Sequence, residues 1–406
     1  MKKIAYANSG FLHERKENDT SLRSVVGIAK IIGVFILHFA VLLIGFAFPI
    51  QDAQSHLRLT GTWFDHFMQW DAQWYAAIAK YGYQLPLDVQ QAFTVTGNAV
   101  PFSPALRTTA YFPGFPLIIH LFGSTGSIIV GSLVFIATLV LMYLLVERRF
   151  GDTAALFAII LYAINPAAIY ESALYVEVYS VLCTLLIVYG LTKASRTGDV
   201  IACIAGFMGT SLHELGLISI VFGLRFFQRR QYKFGIIYGL SVVAPWFLFV
   251  AYLWGRYQQP FAIFHAETAW QRVWRFPGTG LVQSLPHMSL NTLYVCGFVL
   301  LIILYVYASL KWNFTEGRLH EAGVASWDTS LWVIALALTS LSTYIPGAPL
   351  TSVLRFLSVI WPIYALIWTR KWSDDMKLMI ATGLCVLFGV FDLEGSLLFS
   401  HGLFFQ

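Results

Sequence analysis

The sequence predicts an all-α, polytopic membrane protein, and three observations carry that prediction. Charged residues make up only 12% of the 406-residue chain, about half their share in soluble domains. Hydrophobic residues reach 58%. The apolar residues lie in long continuous runs from residue 23 to the C-terminus, not in the short alternating segments of a membrane barrel. No Gly/Ser linker, low-complexity tract or internal repeat divides the chain, so residues 1–406 read as a single integrated membrane domain.

In chain order the runs predict about eleven transmembrane or re-entrant helices. They lie near residues 24–50, 126–146, 154–168, 175–192, 199–211, 214–226, 233–254, 289–310, 328–345, 354–370 and 377–398. The first is too long for a signal-peptide core and lacks a small-residue cleavage site, so it reads as an uncleaved helix. Lys2, Lys3, Arg15, Lys16 and Arg23 precede it and place the N-terminus in the cytoplasm. Alternation from there puts 18 of the 26 Lys and Arg residues inside and 7 outside, with Lys30 within the first helix. The net charge of +5 is thus explained by topology and does not indicate a nucleic-acid partner.

Residues 201–224 could form one span, but that would carry the Arg225–Lys233 cluster outside. A hairpin of two short helices meeting at "TSLHELG" (Thr210–Gly216) keeps the cluster inside and puts His213 and Glu214 at the tip, out of lipid. Cys183, Cys203, Cys296 and Cys385 each stand alone in apolar sequence, without metal or disulfide spacing. No metal site is expected.

The inside turns are terse and basic. Two outer loops, 51–125 and 255–288, are long, and loops of that length usually carry function. In the first, Thr62 and Asp65 have capping-box character and Gly82 suits a helix end, which predicts an interfacial helix over about Trp63–Tyr81. Trp70, Trp74 and Tyr81 would share one face of that helix at headgroup depth. Asp71 would point from the adjoining face, where a carboxylate is suited to act as general base on a partly lipid substrate.

Five stretches resemble the PIG-V-type mannosyltransferases, that is, the GPI mannosyltransferase 2 family and its bacterial relatives. They are "WDAQWYAAIAKYGYQ" (Trp70–Gln84), "AYFPGFPLI" (Ala110–Ile118), "NPAAIYESALYVE" (Asn165–Glu177), "YQQPFAIFHAETAW" (Tyr257–Trp270) and "LRFLSVIWPIY" (Leu354–Tyr364). They occur in family order across most of the chain. Val176 stands where the family has serine, and "TSLHELG" replaces the arginine or asparagine-glycine pair of many members. The resemblance implies a GT-C glycosyltransferase fold, with a sugar, mannose in the family, donated from a polyprenyl- or dolichyl-phosphate carrier on the non-cytoplasmic side. That donor is a substrate, and no cofactor is expected. No Gly-rich nucleotide loop or DxD pair occurs, and Asp374-Asp375 reads as a solvated turn.

On these grounds Asp71 is the candidate base. Asp65 is a cap with a possible direct role, and Asp52 is an alternative base just past the first helix. Arg355 is suited to hold the lipid phosphate. Lys80 could share that role or snorkel. Glu177 would orient a neighbour or bind acceptor hydroxyls, and His265 would bind sugar or phosphate. Trp70 and Trp74 complete the substrate-binding set. Phe112, Pro113, Phe115 and Pro116 shape a turn, while Arg58, Arg107 and Arg272 have no assigned role. The acceptor is open between a protein, a glycolipid and an envelope glycan. The short chain and terse turns favour a bacterial inner membrane over the endoplasmic reticulum. A flippase or transporter of lipid-linked glycans is the competing class; it would place its polar groups near the midplane. A transferase should instead show an outward cavity containing Asp71 beside a lipid-sized groove.

Overall fold

A computed structural model describes residues 26–48, 62–89, 107–268, 271–315 and 321–403. Asp52 and Arg58 lie outside the described residues.

Among the described residues the protein is all-α apart from one two-residue ribbon. Its principal helices are α1 (Val26–Ala47), α2 (Asp71–Tyr81), α3 (Gly114–Phe150), α4 (Asp152–Ala163), α5 (Glu177–Lys193), α6 (Arg196–Leu212), α7 (Tyr232–Tyr257), α8 (Leu290–Thr315), α9 (Trp327–Ser342) and α10 (Asp374–Ser400). Five of them, α1, α3, α7, α8 and α10, are long and apolar enough to cross a membrane. The remaining expected spans are shorter: α4 has 12 residues, α5 and α6 have 17 each, and α9 has 16. The helix expected over 354–370 is broken into Val353–Ser358 and a 3-10 stretch, Trp361–Thr369. Pro362 accounts for the break, since a proline cannot donate to the preceding turn and disfavours helical geometry in the residue before it.

Burial separates two kinds of apolar helix. In α5 no residue before Lys193 is exposed. It packs on α6 so closely that a Cβ on Gly190 would come within 2.4 Å of the Gly198 carbonyl oxygen, the small-residue contact that lets helix backbones meet. On α1, by contrast, Ile28, Ile32 and Ile36 form an exposed apolar row at helical spacing, as do Ile236, Leu240 and Phe247 on α7. Such rows suit contact with lipid. The interior also buries ionisable groups that carry no assignment from sequence. His38 Nδ1 lies 2.6 Å from the Ala163 carbonyl oxygen and its Nε2 lies 2.7 Å from Ser172 Oγ, while Tyr162 donates its hydroxyl to Glu171 at 2.6 Å.

The chain does turn back at "TSLHELG". α6 stops at Leu212, His213 is extended, and the chain returns as a 3-10 helix, Glu214–Phe222, followed by Gly223–Gln228. Two contacts show the reversal. Gly216 lies against Gly209, and Arg229 Nη2 donates to the Leu191 carbonyl near the end of α5 at 2.7 Å. The Arg225–Lys233 cluster therefore shares an end of the bundle with Lys193. Arg225 is buried there against Asp328 of α9, with Nε donating to Oδ2 at 3.0 Å.

The first long loop departs from expectation. The predicted helix over Trp63–Tyr81 is two pieces, a 3-10 turn Trp63–Phe67 and α2, separated at Trp70. The Thr62 side chain makes no cap bond to the turn. Tertiary contacts override the helical pattern: Leu174 N–H donates to the Phe67 carbonyl at 2.9 Å, and the Tyr175 hydroxyl donates to the Gln69 carbonyl at 3.0 Å. The second loop is fixed by the ribbon, β1 (Val273–Trp274) antiparallel to β2 (Thr343–Tyr344), in the register Val273 to Tyr344 and Trp274 to Thr343. That pairing holds Arg272 beside the segment leading into Arg355.

Candidate active site

Residues far apart in sequence meet at the N-terminal ends of α2 and α5. Arg355, in the short helix Val353–Ser358, donates through Nη1 to Asp71 Oδ2 at 2.7 Å. Its Nε lies 2.9 Å from Glu177 Oε1. This second contact is ionic without being an aligned hydrogen bond, and both Arg355 Nε and Glu177 Oε2 are buried polar atoms with no hydrogen-bond partner among the described residues. The guanidinium also stands over the rings of Phe356 (4.7 Å), Tyr175 (5.3 Å) and Tyr170 (5.6 Å), which adds cation–π attraction.

Asp71 is held from three directions. Tyr111 donates its hydroxyl to Oδ1 at 3.1 Å, Arg355 occupies Oδ2, and the Asp71 backbone N–H donates to the Tyr175 hydroxyl at 3.1 Å. Because the same Tyr175 hydroxyl donates to the Gln69 carbonyl, it brackets Trp70. Trp70 pays for this with φ 56° and ψ −116°, the left-handed region that a bulky side chain resists, a strain on the order of 1–3 kcal/mol. The strain sits at the residue that starts α2 and so aims Asp71.

The three charged groups differ in access: 29% of the Asp71 side chain is exposed, against 9% for Arg355 and 3% for Glu177. Burial pushes the Asp71 carboxyl up. The charge and hydrogen bond of Arg355, the charge of Arg272 and the Tyr111 hydroxyl more than reverse that, so its pKa lies below the usual value. Resting Asp71 is therefore ionised but weakened as a base.

A second group adjoins the first. Arg272 Nη1 pairs with Glu267 Oε2 at 2.8 Å, both half-buried. His213 packs edge-on against Phe356 at 5.7 Å, and its Nδ1 accepts the Leu215 N–H at 3.2 Å. With the Leu215 N–H on Nδ1, the ring proton of neutral His213 belongs on Nε2. Burial pushes the Glu267 carboxyl up, and Arg272 only partly offsets it, leaving it raised.

Other sequence candidates lie elsewhere. Lys80 is exposed at the far end of α2, its ammonium 4.9 Å from the Tyr81 ring. Nine residues of helix, about 13 Å of rise, separate it from Asp71, so it does not share Arg355's place. His265 is exposed, and its backbone carbonyl accepts the Thr268 hydroxyl. Asp65 sits in the 3-10 turn, with its carbonyl accepting from Met68 N–H and Gln69 Nε2. Trp74 is not a headgroup anchor: it is 7% exposed and stacks on Tyr111 at 6.2 Å. Trp70 caps α2 from outside it, so Trp70, Trp74 and Tyr81 do not form one interfacial face. Tyr111, Tyr175, Glu267 and Arg272 are members of the cluster without a role read from sequence. Tyr111, Tyr175 and Glu267 lie inside the quoted motifs, and that is the one signal the sequence holds for them.

A narrow cavity of about 50 Å³ starts at Glu177 and His213 and runs between α5 and α9 past Val181, Ile187, Trp332 and Leu336. Asp71 does not line it, and it has room for a few waters rather than a prenyl chain.

No protein-family model and no curated protein matches the sequence. Among solved structures the chain is similar to ArnT from Cupriavidus metallidurans bound to undecaprenyl phosphate, at 14% identity, 91% coverage of this chain, 76% coverage of that chain and a TM-score of 0.46.

Proposed function

We propose that the chain is a GT-C-type membrane glycosyltransferase that moves a sugar from a polyprenyl- or dolichyl-phosphate carrier to an acceptor hydroxyl. One observation carries the proposal. Four of the five stretches that resemble PIG-V-type enzymes each deliver a residue to one cluster: Asp71, Tyr111, Glu177 and Arg355. The fifth supplies Glu267, whose partner Arg272 acts on Asp71 through its charge.

The geometry supports the following chemistry. Arg355 binds the donor phosphate, a role for which a planar guanidinium is suited. The acceptor oxygen bonds to the anomeric carbon as the bond from that carbon to the phosphate oxygen breaks, with inversion. Asp71 takes the acceptor's proton, and the lipid phosphate leaves paired with Arg355. Because Arg355 holds Asp71 at rest, a donor phosphate that draws the guanidinium toward itself frees Oδ2 and strengthens the base. Glu177 retains its side of the guanidinium meanwhile. Donor binding thus precedes proton abstraction.

By the positive-inside distribution, the N-terminus is cytoplasmic and the Asp71 cluster faces the opposite side, in a bacterial inner membrane. Mannose is the sugar the family resemblance suggests. The test is to incubate the purified protein with a panel of polyprenyl-phosphate sugars in membranes and identify the labelled product. Transfer from a lipid-phosphate sugar supports the proposal, and transfer from a nucleotide sugar alone, without lipid carrier, overturns it.

A further inference from the structure

At the end of the bundle away from Asp71, the structure holds a cavity of about 380 Å³. The 17 residues of α5 separate the two ends, about 25 Å of helix. The cavity is walled by Arg148 and Arg149 at the end of α3, Thr192 and Ala194 at the end of α5, Arg229, Asn313 of α8 and the segment 321–326 that leads into α9. Among the described residues, three arginines and one acid, Glu321, line it.

We infer that this cavity binds a phosphate group, and that its occupant is the headgroup of an anionic lipid in the leaflet opposite the Asp71 cluster. Arg149 is engaged by Glu321 at 2.8 Å. Arg229 spends Nη2 on the Leu191 carbonyl at 2.7 Å, but its buried Nη1 has no acceptor among the described residues. A buried charged donor left unpaired is costly, and a phosphate oxygen is the acceptor such a cavity suits. Arg148 is exposed at the rim, its guanidinium 6.0 Å from the Tyr189 ring.

The bland alternative is that these arginines merely follow the inside-positive bias and offset the C-terminal ends of α3 and α5. Neither purpose calls for a guanidinium with an unpaired donor beside a cavity. A lipid source is favoured over free phosphate by depth. Arg149 stands 4.8 Å over Trp312, Phe150 meets Trp312 edge-on at 6.0 Å, and Lys193 stands 5.0 Å over Tyr189. Aromatic rings and cations at one level mark the headgroup layer. The inference is independent of the transferase proposal.

The test is native mass spectrometry of the full-length protein equilibrated with equal phosphatidylglycerol and phosphatidylcholine. The wild type should retain phosphatidylglycerol preferentially. Arg148→Gln and Arg229→Gln should each lower that preference by about fivefold, the effect of one cation near an anionic headgroup. Arg148 is exposed, so its variant decides the matter if Arg229→Gln misfolds. Lys371→Gln removes an exposed cation that does not line the cavity and should change nothing. Equal retention of the two lipids, an unchanged preference in Arg148→Gln, or an equal loss in Lys371→Gln would overturn the site. Displacement of the lipid by millimolar inorganic phosphate would overturn the lipid assignment.

Discussion

Asp71→Asn should nearly abolish turnover while strengthening the protein's hold on lipid phosphate. The substitution keeps the side chain's shape and leaves Tyr111 an acceptor at the position now 3.1 Å away. It removes the anion that Arg355 contacts at 2.7 Å and leaves the Glu177 contact at 2.9 Å in place. A hydrogen bond to a charged group contributes about 1.5–3 kcal/mol net. A phosphate binding to wild type must displace that bond, and one binding to the variant does not. Since about 1.4 kcal/mol is tenfold in affinity, the variant should bind polyprenyl phosphate at least about tenfold more tightly. Loss of the general base should lower turnover by about 10²-fold or more. The assay pairs equilibrium binding of sugar-free polyprenyl phosphate with turnover per folded molecule. Binding that weakens in step with turnover would refute the competition between Asp71 and phosphate for Arg355. Turnover within about threefold of wild type, far under the general-base scale, would place the base elsewhere, with Asp52 next.

Four further outcomes are expected. Asp71 has a depressed pKa, so its base form persists to below the usual carboxylate range, and removing a cation that depresses it lets protonation set in at higher pH. Arg272→Gln should therefore move the acid limb of the kcat/KM profile upward, and an unmoved limb would count against Asp71 as base. Asp328→Asn removes the anion paired with Arg225, both side chains being at most 1% exposed; it should cost about 3–5 kcal/mol, read as a lowered thermal midpoint of the purified protein. Gly216→Ala would drive a Cβ to 2.4 Å from the Gly209 backbone and should collapse the yield of folded protein, whereas Gly239→Ala meets nothing within 4 Å and should not. Lys233→Cys should resist impermeant thiol reagents added outside intact cells, and ready labelling would invert the proposed topology.

Sequence alone determined what the bilayer dictates. Length, hydropathy and the placement of cations follow from the cost of putting polar groups into hydrocarbon, a cost paid residue by residue and therefore readable from one chain. The five long helices and the turn at His213 were accessible on those terms. So was Asp71 as an acid in a long loop beside tryptophans. Tertiary structure decided the rest. α1 and α5 are both apolar, yet one exposes an apolar row and the other exposes no residue before Lys193, because hydropathy cannot tell lipid from protein as a neighbour. The break at Trp70 runs against local helical pattern and exists because Tyr175 and Leu174 bond the chain on either side of it. The pairing of Asp71 with Arg355 joins positions 284 residues apart, and contact at that separation leaves no periodicity in the sequence. It arises only when the packed helices bring the ends of α2, α5 and the Val353–Ser358 turn together, away from bulk water, where the charges must find one another.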